Sequence, residues 1–175
     1  MKMKKWLVLC FIAVFALAMV GCGGGDKSNN NNNSDPKPAA TKVYQGEGFT
    51  IEYPDTVEER TTSVGEKVLS SKDKTFDIAP QVWDGDYATL KAKWSESQKS
   101  YSDYKTEDVQ VAGKSSVRIY STGEASGSEI LYLIPLNDAK TLALIVTEYN
   151  FVSDMAKLES YMPNVEKVIE GLKFQ

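Results

Sequence analysis

The chain has 175 residues, enough for one domain once any processed segment is set aside. Its 42% apolar and 25% charged residues are ordinary globular composition, and the net charge of −4 conceals 17 basic against 24 acidic residues beyond residue 21. A chain that acidic lacks the Lys and Arg surface that neutralises nucleic-acid phosphates, and it is repelled by anionic headgroups, so any membrane attachment has to come from elsewhere.

The N-terminus offers that attachment. Met1 to Lys5 is basic, and Trp6 to Val20 is uncharged over 15 residues, the pattern of a secretory signal. The run closes on Met19-Val20-Gly21-Cys22. A small residue directly before a cysteine resembles the bacterial lipobox, in which the signal is cut before the Cys and the new N-terminus is acylated. Leu is the usual residue where this chain has Met19. The competing reading is an uncleaved anchor, because the uncharged stretch continues to Gly25 and its 20 residues are just long enough to span a bilayer. Three successive glycines are poor helix formers, which favours cleavage. The expectation is therefore a signal peptide over 1–21 and a lipidated Cys22. The domain is then held outside the cytoplasm, on the outer leaflet of the cell membrane or, where there are two membranes, at the periplasmic or outer membrane. Cys10 lies inside the signal, so the mature chain has no thiol available for a disulfide, a nucleophile or a metal.

Residues 22–42 read as a tether. Gly23 to Ala40 combines glycines, five asparagines from Asn29 to Asn33, and Pro36 and Pro38, and nothing in it can bury apolar surface. As a flexible coil it spans about 25 Å.

A single globular domain is expected over 43–175. Phe49 to Tyr53 alternates apolar and polar residues and stops at Pro54, which predicts a strand with one buried face. Glu66–Ser71 and Phe76–Trp83 follow as strands, with Pro80 placing the latter at an edge or on a bulge. Asp86 is positioned as the N-cap of a helix from Tyr87 to about Ser100, with Tyr87, Leu90 and Trp94 on one stripe. Lys105–Val111 and Ser115–Thr122 flank Ala112-Gly113-Lys114 as a hairpin. Glu129–Pro135 and Thr141–Tyr149 are apolar on both faces, as central strands of a covered sheet must be. Ser153–Gly171 is helical in pattern, with Pro163 opening a second segment. A sheet apolar on two sides needs two layers of cover, and one helix before and one after the central hairpin predict an α+β fold, an α/β/α sandwich around a mostly antiparallel sheet.

Three features together carry a family resemblance: the F-x-I-x-Y-P strand from Phe49 to Pro54, the Val111-Ala-Gly113 turn, and the apolar hairpin followed by a C-terminal helix ending in Leu-Lys-Phe174. They resemble the Mog1/PsbP-like superfamily over essentially the whole domain. That resemblance implies a fold and a habit, since members act largely as binding or assembly subunits, and it brings no shared catalytic motif.

The residues themselves exclude much chemistry. There is no histidine, which removes Ser-His-Asp and Cys-His catalysis and nearly all zinc, copper and non-haem iron sites. The glycines at 123 and 127 flank Glu124-Ala-Ser126 without the lysine of a phosphate loop. Ser70-Ser71-Lys72 and Lys114-Ser115-Ser116 place Ser beside Lys, but at strand ends and turns, where both are common. Glu58-Glu59 and Glu107-Asp108 read as solvated charge. Asp77, Asp84 and Asp86 are weak candidates for a cation, set against the plainer reading of a turn with a helix cap. The aromatic residues Tyr87, Trp94, Tyr101 and Tyr104 surround one helix and are the candidate binding residues. Tyr87 and Trp94 fit a helix stripe packed on its own sheet, whereas Tyr101 and Tyr104 sit among polar neighbours. No cofactor is expected.

The sequence-based expectation is a non-catalytic, membrane-anchored binding or assembly module for an envelope protein or complex. A small-ligand or metal-ion-binding lipoprotein accessory to transport or stress sensing is the alternative, and an envelope hydrolase working without His is the third reading.

Overall fold

A computed structural model describes residues 41–123, 127–150 and 153–175. The expected signal peptide, Cys22 and the tether as far as residue 40 lie outside the described residues, as does Glu124-Ala-Ser126. Among the described residues no helix is long and apolar enough to cross a membrane.

The described residues open with a hairpin, β1 (Thr41–Gly46) and β2 (Phe49–Pro54), in which Thr41 and Lys42, expected in the tether, pair with Pro54 and Tyr53. β2 follows its alternation, with Phe49, Ile51 and Tyr53 buried. Three strands follow: β3 (Val57–Thr61), β4 (Lys67–Ser71) and β5 (Phe76–Asp84). Helix α1 (Tyr87–Gln98) starts where Asp86 Oδ1 accepts the Thr89 amide at 2.9 Å, satisfying one of the donors orphaned at a helix start. β6 (Ser102–Val111) and β7 (Lys114–Gly123) form the expected hairpin. Ala112 and Gly113 carry φ of 48° and 79°, the left-handed pair that matches a two-residue turn to strand twist. β8 (Gly127–Pro135) and β9 (Lys140–Glu148) form the central pair, and α2 (Met155–Ser160), α3 (Met162–Ile169) and β10 (Leu172–Phe174) close the chain.

These strands make two antiparallel sheets, one of seven strands in the order β3-β4-β5-β9-β8-β7-β6 and one of three in the order β1-β2-β10. The expected α/β/α sandwich is not what forms. Among the described residues, one face of the large sheet is covered by α1, through Leu90 packed on Val117, Ile119, Leu131, Leu133 and Ala143. The other face is covered by the small sheet together with α2 and α3, in a core that joins Phe49 and Ile51 to Ile78, Ile130 and Leu144 and to Leu158 and Val165.

The reason is one of reach. Seven strands at about 4.8 Å spacing are nearly 30 Å wide, whereas α2 and α3, with 6 and 8 residues, are about 9 and 12 Å long. The remaining apolar surface is buried by the β1–β2 hairpin, and the tail ends as a third strand rather than as helix. Leu172, Lys173 and Phe174 pair with Ile51, Thr50 and Phe49.

Candidate functional site

α1 is shorter than the sheet is wide, and the part of its face it leaves bare is the candidate site. β4 pairs with β5 only at Leu69↔Ile78 and Ser70↔Asp77. The ladder stops two residues short of Pro80, which has no N–H to give. β5 is therefore interior in sheet order yet has a free edge at its proline, the position a strand proline tolerates. Beyond that point the β3–β4 hairpin stands off the sheet and leaves a groove of about 400 Å3 between itself, β5 and β9. Val68, Ala79 and Ile145 supply apolar lining, and Arg60, Asp77 and Tyr149 the polar part. Ile145 also packs against the cluster under α1, so the groove abuts that helix. At the hairpin tip Val64 is 79% exposed.

The polar part is built around a buried acid. Asp77 is 5% exposed; Arg60 Nη2 donates to its Oδ2 at 2.6 Å and Ser70 Oγ to its Oδ1 at 2.5 Å. An unpaired carboxylate at that depth would be costly, and the guanidinium and hydroxyl remove the cost. Arg60 also lies over Tyr149, with Cζ 5.1 Å from the ring centroid, and Lys74 Nζ approaches the same ring at 5.9 Å. The Arg60 Nε–H is buried without a partner. An arginine held between an acid and a ring presents a fixed cation edge above an apolar surface. That suits recognition of an extended segment with apolar side chains and carbonyl acceptors.

The residues singled out from sequence are distributed unevenly around this groove. Tyr87 and Trp94 pack into the cluster beneath α1. Burial raises the Tyr87 pKa. Trp94 stacks on Trp83 at 4.9 Å between centroids, and Trp83 Nε1 donates to Gln81 Oε1 at 2.8 Å. Gln81 lines the groove, so this tryptophan pair forms its border on the helix side. Tyr104 packs, half-buried, against the same cluster, whereas Tyr101 is 44% exposed. Asp77 lies within the groove wall, but Asp84 and Asp86 do not join it. Asp84 is seven residues further along β5, about 23 Å away, paired with Lys140, and Asp86 is spent as the α1 cap. No cluster of three or more potential metal ligands occurs among the described residues.

Of the Ser–Lys neighbours, Lys114 and three serines are engaged within the fold. Lys114 Nζ donates to the carbonyls of Pro135 and Leu136 at 2.7 and 3.0 Å and lies 3.9 Å from the Phe174 ring centroid. Ser116 Oγ donates to the Lys114 carbonyl, Ser70 binds Asp77, and Ser71 Oγ accepts the amides of Thr75 and Phe76.

One expectation of solvated charge is wrong. Glu107 anchors a network on the core side of β6, β7 and β8. Arg118 Nε and Nη2 donate to Glu107 Oε2 at 3.0 and 2.6 Å, and Arg118 Nη1 reaches Tyr132 Oη at 3.1 Å and Glu166 Oε1 at 3.0 Å. Tyr120 donates to Glu107 Oε2 at 3.0 Å, and Lys105 pairs with Oε1 at 2.5 Å. Lys105 first, then Arg118, holds the Glu107 carboxyl at about 2, against an ordinary value of 4.5. Burial opposes the Arg118 charge, but its bonds to Tyr132 and Glu107 more than compensate and raise its pKa. The only sequence signal for this network was the i, i+2 alternation of Lys105, Glu107 and Val109 opposite Arg118 and Tyr120, which puts them on one sheet face.

No family model and no curated protein matches the chain. Among solved structures, it is similar to the cyanobacterial PsbP (CyanoP) of Synechocystis, with 8% sequence identity and a TM-score of 0.48, over 83% of this chain and 98% of that one.

Proposed function

We propose that the protein is a lipid-anchored, extracytoplasmic binding module without catalytic activity, and that its partner, a protein or complex of the cell envelope, is taken up in the groove between the β3–β4 hairpin, β5 and β9. The observation that carries this reading is the bare part of the sheet face beside α1. Val68, Ala79 and Ile145 provide apolar lining there, Arg60 is fixed between Asp77 and Tyr149, and Val64 stands exposed at the rim. The anchor rests on the lipobox-like run ending at Cys22.

Two measurements test the two halves. Cells fed a clickable fatty acid are expected to label the wild-type chain in the membrane fraction, and Cys22→Ala to remove the label and release the chain; a labelled or membrane-retained alanine variant overturns the anchor. For the groove, a photoreactive residue at position 64 is expected to give one discrete adduct in cells, reduced at least fivefold by Arg60→Glu and unchanged by Lys93→Glu, an exposed position outside the groove lining. An adduct indifferent to Arg60 removes the groove from the reading.

A further inference from the structure

The polar floor of the groove continues across the sheet. Strand alternation puts Asp77, Thr147, Glu129 and Ser121 on the face that carries α1. The ladders set them side by side, Asp77↔Thr147, Thr147↔Glu129 and Glu129↔Ser121. Asp77 and Thr147 line the groove, and Glu129 is the next residue of the row. The neighbouring row on the same face, Ile145, Leu131 and Ile119, is apolar and lies in the cluster with Leu90 of α1.

The two acids of this row differ in what they meet. Asp77 is compensated by Arg60 and Ser70. Glu129 is half-buried and has no cation within ion-pair distance among the described residues. Of the charges around the groove, Arg60 is committed to Asp77, Lys74 stands over the Tyr149 ring, and Glu66 accepts from Gln81. Burial raises the Glu129 pKa, opposed by the Ser121 hydroxyl, and an approaching cation reverses that penalty. A second acceptor comes from α1. Gln98 continues the stripe of Tyr87 and Trp94 by one turn and is 5% exposed, so it faces the sheet at the helix C-terminus. Ser102 follows it and pairs opposite Thr122, which sets that end of the helix beside Ser121. Gln98 Oε1 is buried with no hydrogen-bond partner among the described residues. One carboxylate is too few for a divalent ion, and no cluster of three potential metal ligands occurs among the described residues. What an acid and an amide oxygen lack here is a cationic N–H donor.

We infer, on the reading of the groove as the partner site, that the segment it takes up carries a lysine or arginine side chain, received by Glu129 and Gln98. The unpartnered Arg60 Nε–H supplies the complementary contact, a donor for a main-chain carbonyl. Asp77, which holds Arg60, and Glu129 are two strands apart, about 10 Å, a span that three residues of extended chain cover. Val68, Ala79 and Ile145 alongside meet the apolar neighbours of the cationic residue. A free cation would use only one end of this arrangement.

The probe is the peptide acetyl-Val-Ala-Ala-Lys-Ala-amide. Its counterparts are the same peptide with Nε-acetyllysine, which is uncharged, and butylammonium, the cation alone. Binding to the full-length chain held in zwitterionic nanodiscs is followed by ligand-observed NMR, with empty nanodiscs subtracted. The lysine peptide is expected to bind at least tenfold more tightly than either counterpart. Glu129→Gln is expected to abolish the preference for the charge, and Gln98→Leu to weaken the lysine peptide at least threefold. Glu159→Gln, which removes an exposed acid on α2, leaves binding unchanged. Because Glu129→Gln neutralises a half-buried charge without a partner, it is also expected to raise the melting temperature, whereas loss of a structural acid would lower it. Equal binding of the two peptides overturns the inference, as does a charge preference that survives Glu129→Gln. Butylammonium binding as tight as the peptide's overturns it too, by identifying a site for a free cation. A position-64 adduct lost in Arg60→Glu but kept in Glu129→Gln leaves the groove standing and removes its cationic partner, so the two readings fail on different variants.

Discussion

Replacing Gly171 with alanine is expected to cost about 3 kcal/mol or more and to lower the melting temperature by roughly 10 °C. A Cβ at this position would stand 1.9 Å from the Glu52 carbonyl oxygen and 2.8 Å from its carbonyl carbon. Both are backbone atoms of the central strand of the small sheet, so no side-chain rotation relieves the clash. The close approach exists because the Glu52 amide donates to the Gly171 carbonyl at 2.9 Å, which draws the exit of α3 against β2. Pushing them apart strains that bond and the three-residue β10 pairing that follows, and with it the cover over the core. Gly65 is the control. Nothing lies within 4 Å of its Cβ position, but its φ is +86°, so alanine there costs only the left-handed backbone penalty of about 1 kcal/mol. Thermal unfolding of both variants decides the matter, and comparable losses at the two positions would refute the close-packing account.

Gly171 also shows why part of the fold was hidden in the sequence. The period-3.6 pattern of Val165, Val168 and Ile169 runs smoothly on to Leu172, so the segment opened by Pro163 reads as helix throughout. All four are indeed buried. Leu172, however, is buried as a strand residue beside Ile51, and only the approach of Glu52 from 120 residues earlier makes it so. Local periodicity tells which residues face inward and not which partner they face. β3 was missed for the complementary reason. Val57-Glu-Glu-Arg-Thr61 has one buried apolar residue, and a sheet edge is where charged strands belong. The helix cap at Asp86, the Ala112-Gly113 turn and the doubly apolar β8–β9 pair were legible because each is encoded within a few neighbouring residues.

The same distinction governs the site. The Trp94 stripe could be read because helix spacing puts Tyr87, Leu90 and Trp94 on one side, but that it borders a groove depends on Trp83 and Gln81 of another element. Asp77 was picked out as one of three nearby acids, whereas its partners are Arg60 and Ser70, brought in by strands whose register the sequence does not show. Arg60 drew no attention at all. A lone arginine in a charged run has no spacing signature, and it matters only because β4 places it beside Asp77 and the end of β9 places Tyr149 beneath it.

The Arg118 network shows the energetic weight such an unsignalled residue can carry. Its side chain is 18% exposed and its guanidinium makes four hydrogen bonds within the network, so Arg118→Ala takes one of three partners from Glu107, leaving Lys105 and Tyr120, and leaves the Tyr132 hydroxyl unpaired on the core side. Bonds to charged groups contribute about 1.5–3 kcal/mol, and with the lost packing of the arginine stem the expected destabilisation is about 3 kcal/mol. Arg118→Met keeps much of that stem and is expected to recover part of the loss, because an apolar residue of similar volume imposes no charge to be solvated. Glu107→Gln carries the pH signature. The folded-state carboxyl is depressed to about 2 from 4.5. The folded form therefore holds the charge that binds Lys105 and Arg118 at pH values where the unfolded chain has already taken up a proton. Stability from this source is fully present above about pH 4.5 and drains away as pH falls towards 2. The difference in unfolding free energy between wild type and Glu107→Gln should then fall by more than half between about pH 6 and pH 3 in urea titrations. A difference independent of pH over that window would show that the carboxylate's charge is not what holds Lys105 and Arg118, and would leave shape alone to explain the network.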